Sequence, residues 1–348
     1  MAPLFRALCL ISSALLACGN GQSSLSNGRS SEDVFGNGES LNGESLNGES
    51  LNGESLNGES LNGTPLGSSV TAVSFSGVQL NGNVLDSTSL NGTVFSGTGG
   101  GTTFSGYAFR RAIFNATTDS GAIISLRIQG ISQEAPPNDD VWDYWLTWSA
   151  DGGDNWQPFC VNASGNTVPA IPVNGIWDHR RGVPGGGAKI DDPSSFTFAC
   201  KGMGAVAKCV FPIGYKPWKT VNGVSLDRWH QACVRLIRAD FCGDGTPYTV
   251  NGQRVNLYDG IGVQQDTRYW LIEAEWDENG ARCFNPVNRS HWFVPCFNDR
   301  ALAVCGAPFD FQRGPDSCDP RLGLFGCTLL MDETPIPLLQ GGPLLVFP

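Results

Sequence analysis

A chain of 348 residues with 45 glycines, 10 tryptophans, 19 phenylalanines and only 16% charged residues can build one domain of about 200 residues with extensions. Its net charge is -11, of which -6 falls on residues 1–106 (two basic, eight acidic) and -5 on the remainder (20 basic, 25 acidic). With no stripe of lysine and arginine, that balance repels a phosphate backbone and excludes nucleic acid as a partner.

Residues 1–17 read as a lipoprotein signal peptide. Arg6 precedes an apolar run from Ala7 to Ala17, too short for a membrane span, and Leu15-Leu16-Ala17-Cys18 is a bacterial lipobox. Cleavage before Cys18 exposes a thiol for lipid attachment, which makes the membrane a partner through that residue. Gly19 stands where aspartate retains many lipoproteins at the inner membrane, so the address expected is the outer membrane or cell surface of a Gram-negative bacterium. Residues 18–66 form an acidic low-complexity spacer in which NGES occurs five times and leucine recurs every fifth residue from Leu41 to Leu66. A β-helical coil of pentapeptide type is the alternative. It would stack Glu39, Glu44, Glu49, Glu54 and Glu59 in a narrow core, at several kcal/mol each by order of magnitude, and the flexible spacer is preferred.

From Phe75 through Leu80, Leu85, Leu90 and Phe95 the same step continues, with Val73, Val78, Asn83, Thr88 and Thr93 at the partner positions. Residues 67–106 are therefore expected to form a short pentapeptide-like β-helical segment, capped by a globular domain spanning 107–348. In that domain Ala122–Ile131 alternates as a strand, and Trp142, Tyr144, Leu146 and Trp148 fall on one side of the next. The stretch from Arg268 to Trp276 also alternates, with Trp270, Ile272, Ala274 and Trp276 opposite Tyr269, Leu271, Glu273 and Glu275. One amphipathic helix is expected over about 226–240. Ser225 is its N-cap, Trp229, Ala232, Cys233, Leu236 and Ile237 its inner face, and His230, Gln231, Arg235 and Arg238 its outer face, with Gly243 as the stop. The fold class is mainly β or α+β: a disulfide-rich, β-dominated domain with one main helix.

Cys9 leaves with the signal and Cys18 carries lipid, so ten cysteines remain: Cys160, Cys200, Cys209, Cys233, Cys242, Cys283, Cys296, Cys305, Cys318 and Cys327. An even number in an exported chain reads as disulfides, and the absence of C-x-x-C argues against zinc. Connectivity stays open. A continuous helix would turn Cys233 and Cys242 to opposite sides, so each should bond to a different neighbour.

Ala239-Asp240-Phe241-Cys242 resembles the signature of the ADYC-domain proteins of myxobacterial secretomes, with Phe in place of Tyr. VPGGGAKIDD (183–192), FTFACKGMGAVAKC (196–209), GYKPW (214–218), HQAC (230–233), CGDGTP (242–247) and EAEW (273–276) extend the resemblance over about Gly121 to Gly306. It implies a secreted or surface domain, often behind a lipoprotein signal and LNG repeats, and supplies no catalytic residue. The missing hydroxyl removes any role a tyrosine would have had.

Candidate chemistry is sparse. His179, between Asp178 and Arg180 in WDHRR, is the best histidine candidate. His230 lies near Cys233, but a bridged cysteine is no nucleophile, and His291 reads as structural. Glu273 and Glu275 would project about 7 Å apart from one strand face, a separation compatible with a carboxylate-dependent hydrolase. Asp240 and the pair Asp191-Asp192 add carboxylates, although a solvated strand face and turn caps are the preferred account of such residues. GVPGGG (182–187) lacks the order of a phosphate loop. No cofactor or metal is expected. The sequence reads as a surface lipoprotein whose braced domain binds or displays, with glycan or an envelope protein as partner; the alternative is a secreted hydrolase of envelope or extracellular glycan.

Overall fold

The computed structural model describes residues 69–162, 164–248, 256–264, 271–284, 296 and 330–334. The lipobox, the LNGES repeats, Tyr269, Trp270, His291, Cys305, Cys318 and Cys327 lie outside them. Residues ahead of 107 join the same sheet as those after it. Strand β1 (Val70–Ser74) is followed by five short strands, β2 (Gln79–Leu80), β3 (Asn83–Val84), β4 (Ser87–Asn91), β5 (Val94–Gly99) and β6 (Thr102–Ser105). A 3₁₀ turn, Gly106–Phe109, then leads into β7 (Ile113–Thr118), β8 (Ile123–Gln133) and β9 (Trp142–Ser149). The short β10 (Gln157–Pro158) folds back on β9, and β11 (Ala170–Asn174), β12 (Ile176–Trp177), β13 (Lys189–Ile190) and β14 (Ser195–Cys200) follow.

The period-two alternation along β8 and β9 sends Ile124, Leu126, Ile128, Tyr144, Leu146 and Trp148 to one side, and the strands pair antiparallel from Ser125↔Ser149 to Gln133↔Trp142. The neighbouring pairings run β7–β8, β9–β11, β11–β14, β14–β1 and β1–β7, all antiparallel, so the sheet closes on itself as a barrel. Its interior is aromatic. Phe95 reaches in from β5 with its ring centroid 5.0–5.7 Å from those of Phe109, Phe114, Tyr144, Phe196 and Phe198. Stacked, tilted and edge-on pairs of this kind contribute about 0.5–1.5 kcal/mol each beyond area burial.

The β-helical expectation for residues 67–106 is corrected by this arrangement. Leu80, Leu85, Leu90 and Phe95 are buried as the five-residue step requires, but in antiparallel hairpins. The turns explain it. Asn81 and Gly82 (φ 52° and 82°) join β2 to β3, and Gly100 and Gly101 (φ 56° and 78°) join β5 to β6. Two consecutive positive-φ residues reverse a strand tightly, where a coil would need it to advance.

The opposite faces of β11 and β14 carry Ile171, Val173 and Ala199 into a second core. It is built by α1 (Ala205–Val210) and, after the hairpin β15 (Thr220–Val221) and β16 (Val224–Ser225), by α2 (Asp227–Arg238). The helices lie between the barrel and a second antiparallel sheet, β17 (Asn256–Asp259), β20 (Leu330–Thr334), β18 (Leu271–Asp277) and β19 (Gly280–Phe284), in that order. Ser225 belongs to β16 and Leu226 is the N-cap, while Ala239 (φ 51°) ends the helix in place of Gly243. Three disulfides brace the layers: Cys160–Cys200 on the barrel, Cys209–Cys233 between the helices, and Cys242–Cys296. Cys283 is disulfide-bonded as well. Although α2 stops short of Cys242, that residue and Cys233 do bond to different neighbours.

Candidate functional site

The polar side of α2 was expected in solvent and is instead enclosed. His230, Gln231, Arg235 and Arg238 are all buried: α1 and Trp177 contact His230, and the 178–190 loop, the 240–248 loop and the β18–β19 turn close over the other three. A charged face becomes an inner face only if each polar group finds a partner. Gln231 accepts from Trp177 Nε1 at 2.8 Å and donates to the Gly187 carbonyl at 3.0 Å. Arg235 donates to the Gly186 carbonyl at 2.5 Å, to the Glu278 carbonyl at 3.2 Å, and to Asp240 in a short ion pair. Arg238 donates to the Gly245 carbonyl at 2.6 Å, and burial pulls its guanidinium down only to about 10, so it stays charged.

Asp240 is the hub. Its Oδ2 also accepts from Gly245 N and its Oδ1 from Asp244 N, both at 3.0 Å, which folds the CGDG turn back onto the helix end. The glycine loop is the other jaw. A Cβ on Gly186 would lie 2.2 Å from the Asp244 carbonyl oxygen and 2.4 Å from that of Arg180; on Gly187 it would lie 2.7 Å from Arg235 Nη1. Backbone packs directly on backbone here, and any side chain would hold the jaws apart. Phe241 continues into the second core, with ring centroids 4.8 Å from Trp276 and 4.6 Å from Phe284.

The family model of the ADYC domain matches residues 106–290, just over half of the chain. The chain belongs to the ADYC-domain family. No curated protein and no solved structure matches it. In this ADYC domain the signature reads as four structural tasks in sequence. Ala239 takes the left-handed conformation that ends α2, Asp240 receives Arg235 and two backbone amides, Phe241 fills the core, and Cys242 bonds to Cys296. The other motifs serve the same frame. Tyr215 of GYKPW donates to Asp259 at 2.6 Å, and Asp259 in turn accepts the amides of residues 261–264. The disulfides mark an extracytoplasmic, oxidising location for the domain.

The carboxylates singled out from sequence stand in different settings. Glu273 is fully buried and Glu275 half-buried, so Glu273 does not stand on a solvated strand face. The register of β18 shifts between Ile272 and Ala274 against β20 and between Glu275 and Trp276 against β19, which breaks the simple alternation. Asp178 is held by Arg180 at 2.6 Å, and that guanidinium keeps its carboxyl below the usual range. His179 sits half-buried, its Nδ1 2.7 Å from the Trp177 carbonyl, and burial lowers its pKa. His230 Nε2 lies 3.1 Å from the Val206 carbonyl, and burial holds the ring neutral with a pKa of about 4; its neighbour Cys233 is a disulfide, so no thiol is there to activate. Asp191 is exposed beside Lys189, while Asp192 caps the turn at Ser194. Among the described residues, no three His, Cys, Asp or Glu side chains converge as a metal-binding group.

One polar cluster escaped the sequence reading. Lys201, just past β14, contacts Glu134 and Asp143 at one end of the barrel sheet. Burial raises Asp143 to about 6, while the bond to Lys201 lowers Glu134. The three residues are 9 and 58 positions apart in sequence, and only the pairing of β8, β9, β11 and β14 assembles them.

Proposed function

We propose that this ADYC domain is a rigid binding or display module, anchored by lipid on Cys18 at an outer membrane or cell surface and held off it by the acidic 18–66 spacer. The enclosure of Arg235, Arg238 and Asp240 carries this reading. The family's most distinctive polar residues bond to one another and to backbone rather than facing a cleft. Burial of Asp240 and Glu273 weighs against a carboxylate-dependent hydrolase, since neither side chain reaches a surface where a glycan could sit. The anchor is tested by Cys18→Ser, which should release the protein into the soluble fraction; continued membrane association would refute it. Turnover on glycan substrates that Glu273→Gln with Glu275→Gln abolishes would restore the hydrolase.

A further inference from the structure

The helices and second sheet cover the outer faces of β11 and β14, but along β8 and β9 the outward residues remain at the surface. Arg127 faces Thr147 across the strand pair, and Trp145 faces Gly130. Because Gly130 has no side chain, the Trp145 ring lies against the backbone there, within 3.5 Å of where a Cβ would be. Arg127 is held in place by Trp156, with its guanidinium carbon 4.0 Å over that ring; turning the Gln129 amide end for end would also put its oxygen 2.8 Å from Arg127 Nε and Nη2. Arg110 comes to the same spot, donating through Nε to the Gln129 carbonyl at 3.1 Å. Arg111 is beside it, its amide bonded to the Ile128 carbonyl at 2.9 Å and its backbone at φ 74°, a conformation that favours glycine.

Charge sets these three arginines apart. Lys201, Lys216, Arg180 and Arg235 each hold a carboxylate. Among the described residues, no carboxylate pairs with Arg110, Arg111 or Arg127. In a chain of net charge -11, an unneutralised cationic spot beside a flat aromatic surface is complementary to an anion carried on an apolar ring.

We infer that this sheet face binds an acidic glycan, stacking a sugar ring on Trp145 and receiving a uronate carboxylate with Arg110 and Arg127. The inference rests on the binding-module reading and supplies its ligand class. Guanidinium groups match carboxylates with two parallel hydrogen bonds, and an Arg127 already immobilised by Trp156 loses little further freedom on binding. Duplex DNA is disfavoured because its charges, about 1.7 Å apart along the axis, would extend past the three arginines in a chain of net charge -11.

The test is titration of the full mature chain with a galacturonate hexamer, its methyl ester and a DNA duplex, followed by Arg127→Ala, Trp145→Ala, Arg110→Glu and, as control, Arg180→Ala. The hexamer should bind saturably and the ester at least about tenfold more weakly, with Arg127→Ala and Trp145→Ala each weakening the hexamer about tenfold at unchanged melting temperature. Arg110→Glu, whose side chain is exposed, keeps the question answerable should the other variants fold poorly, and should weaken binding as well. Arg180→Ala should bind as wild type. Equal affinity for the ester, tighter binding of DNA, or full affinity in the variants would overturn the inference. Isolated envelope material separates the two claims: wild-type retention matched by the variants leaves the module reading standing without this face, and failure of the wild type to bind it removes both.

Discussion

Asp240→Ala probes the frame at its hub. Arg235 is 2% exposed by side chain and Asp240 0%, and removing one member of such a buried pair leaves an uncompensated charge, at about 3–5 kcal/mol. The amides of Asp244 and Gly245 lose their acceptor as well, and each hydrogen bond to a charged group is worth about 1.5–3 kcal/mol, though not additively with the first loss. The combined expectation is about 4–6 kcal/mol, against a total domain stability of about 5–15 kcal/mol. Guanidinium unfolding with disulfides intact should therefore show a large fall in midpoint at nearly constant slope. Replacing both partners, Arg235→Met with Asp240→Leu, should recover only the part due to the uncompensated charge, since the amides of Asp244 and Gly245 and the carbonyls of Gly186 and Glu278 still lose these partners. A loss under about 1 kcal/mol for Asp240→Ala, or no recovery in the double variant, would refute the hub assignment.

Three further outcomes follow from the same packing. His230 titrates near 4 in the fold against 6.5 unfolded, so the unfolded chain takes the proton first; stability is fully present above pH 6.5 and falls by about 3 kcal/mol as pH drops to 4. Unfolding curves of His230→Gln should lack that part of the acid slope, and an identical slope would sink the assignment. Gly187→Ala must fit a Cβ 2.7 Å from Arg235 Nη1 at φ 73°, so a melting temperature as high as wild type would contradict the close approach; the expected cost is 2 kcal/mol or more, roughly. Replacing Cys209 and Cys233 together by serine opens a bridge with a sequence separation of 24 and should lower stability by about 3 kcal/mol, read from urea midpoints.

Burial phase was legible in the sequence, and topology was not. Leu80, Leu85, Leu90 and Phe95 were marked for the interior and are there, yet the Asn81-Gly82 pair between them already carried the hairpin signal. A five-residue step satisfies both a coil and a run of tight hairpins, so periodicity alone could not choose. The helix was placed within about two residues, the usual uncertainty of helix ends, but its polar face was assigned to solvent by a rule that holds only for helices with one buried side. Here a second sheet and two glycine loops cover it, and nothing local to residues 227–238 reports that cover. Gly186, Gly187 and Gly245 were the available clue, since backbone jaws that close over charged side chains need them.

The signature and the proposed binding face occupy different parts of the molecule, with consequences for how function can be mapped. Asp240, Phe241 and Cys242 act on the second core, whereas Arg127 and Trp145 stand on the barrel, outside every motif that carries the family resemblance. Substitutions at Asp240 or Gly187 should therefore reduce binding only in proportion to the fraction of folded protein, and substitutions at Arg127 or Trp145 should reduce it in fully folded protein. Measuring hexamer affinity and melting temperature on the same samples separates the two. A variant at Asp240 that keeps its melting temperature and loses the ligand would move the site to the buried frame and overturn the division. The geometry argues against that result: a fully enclosed carboxylate bonded to Arg235, Asp244 and Gly245 offers a ligand no approach unless the jaws themselves open.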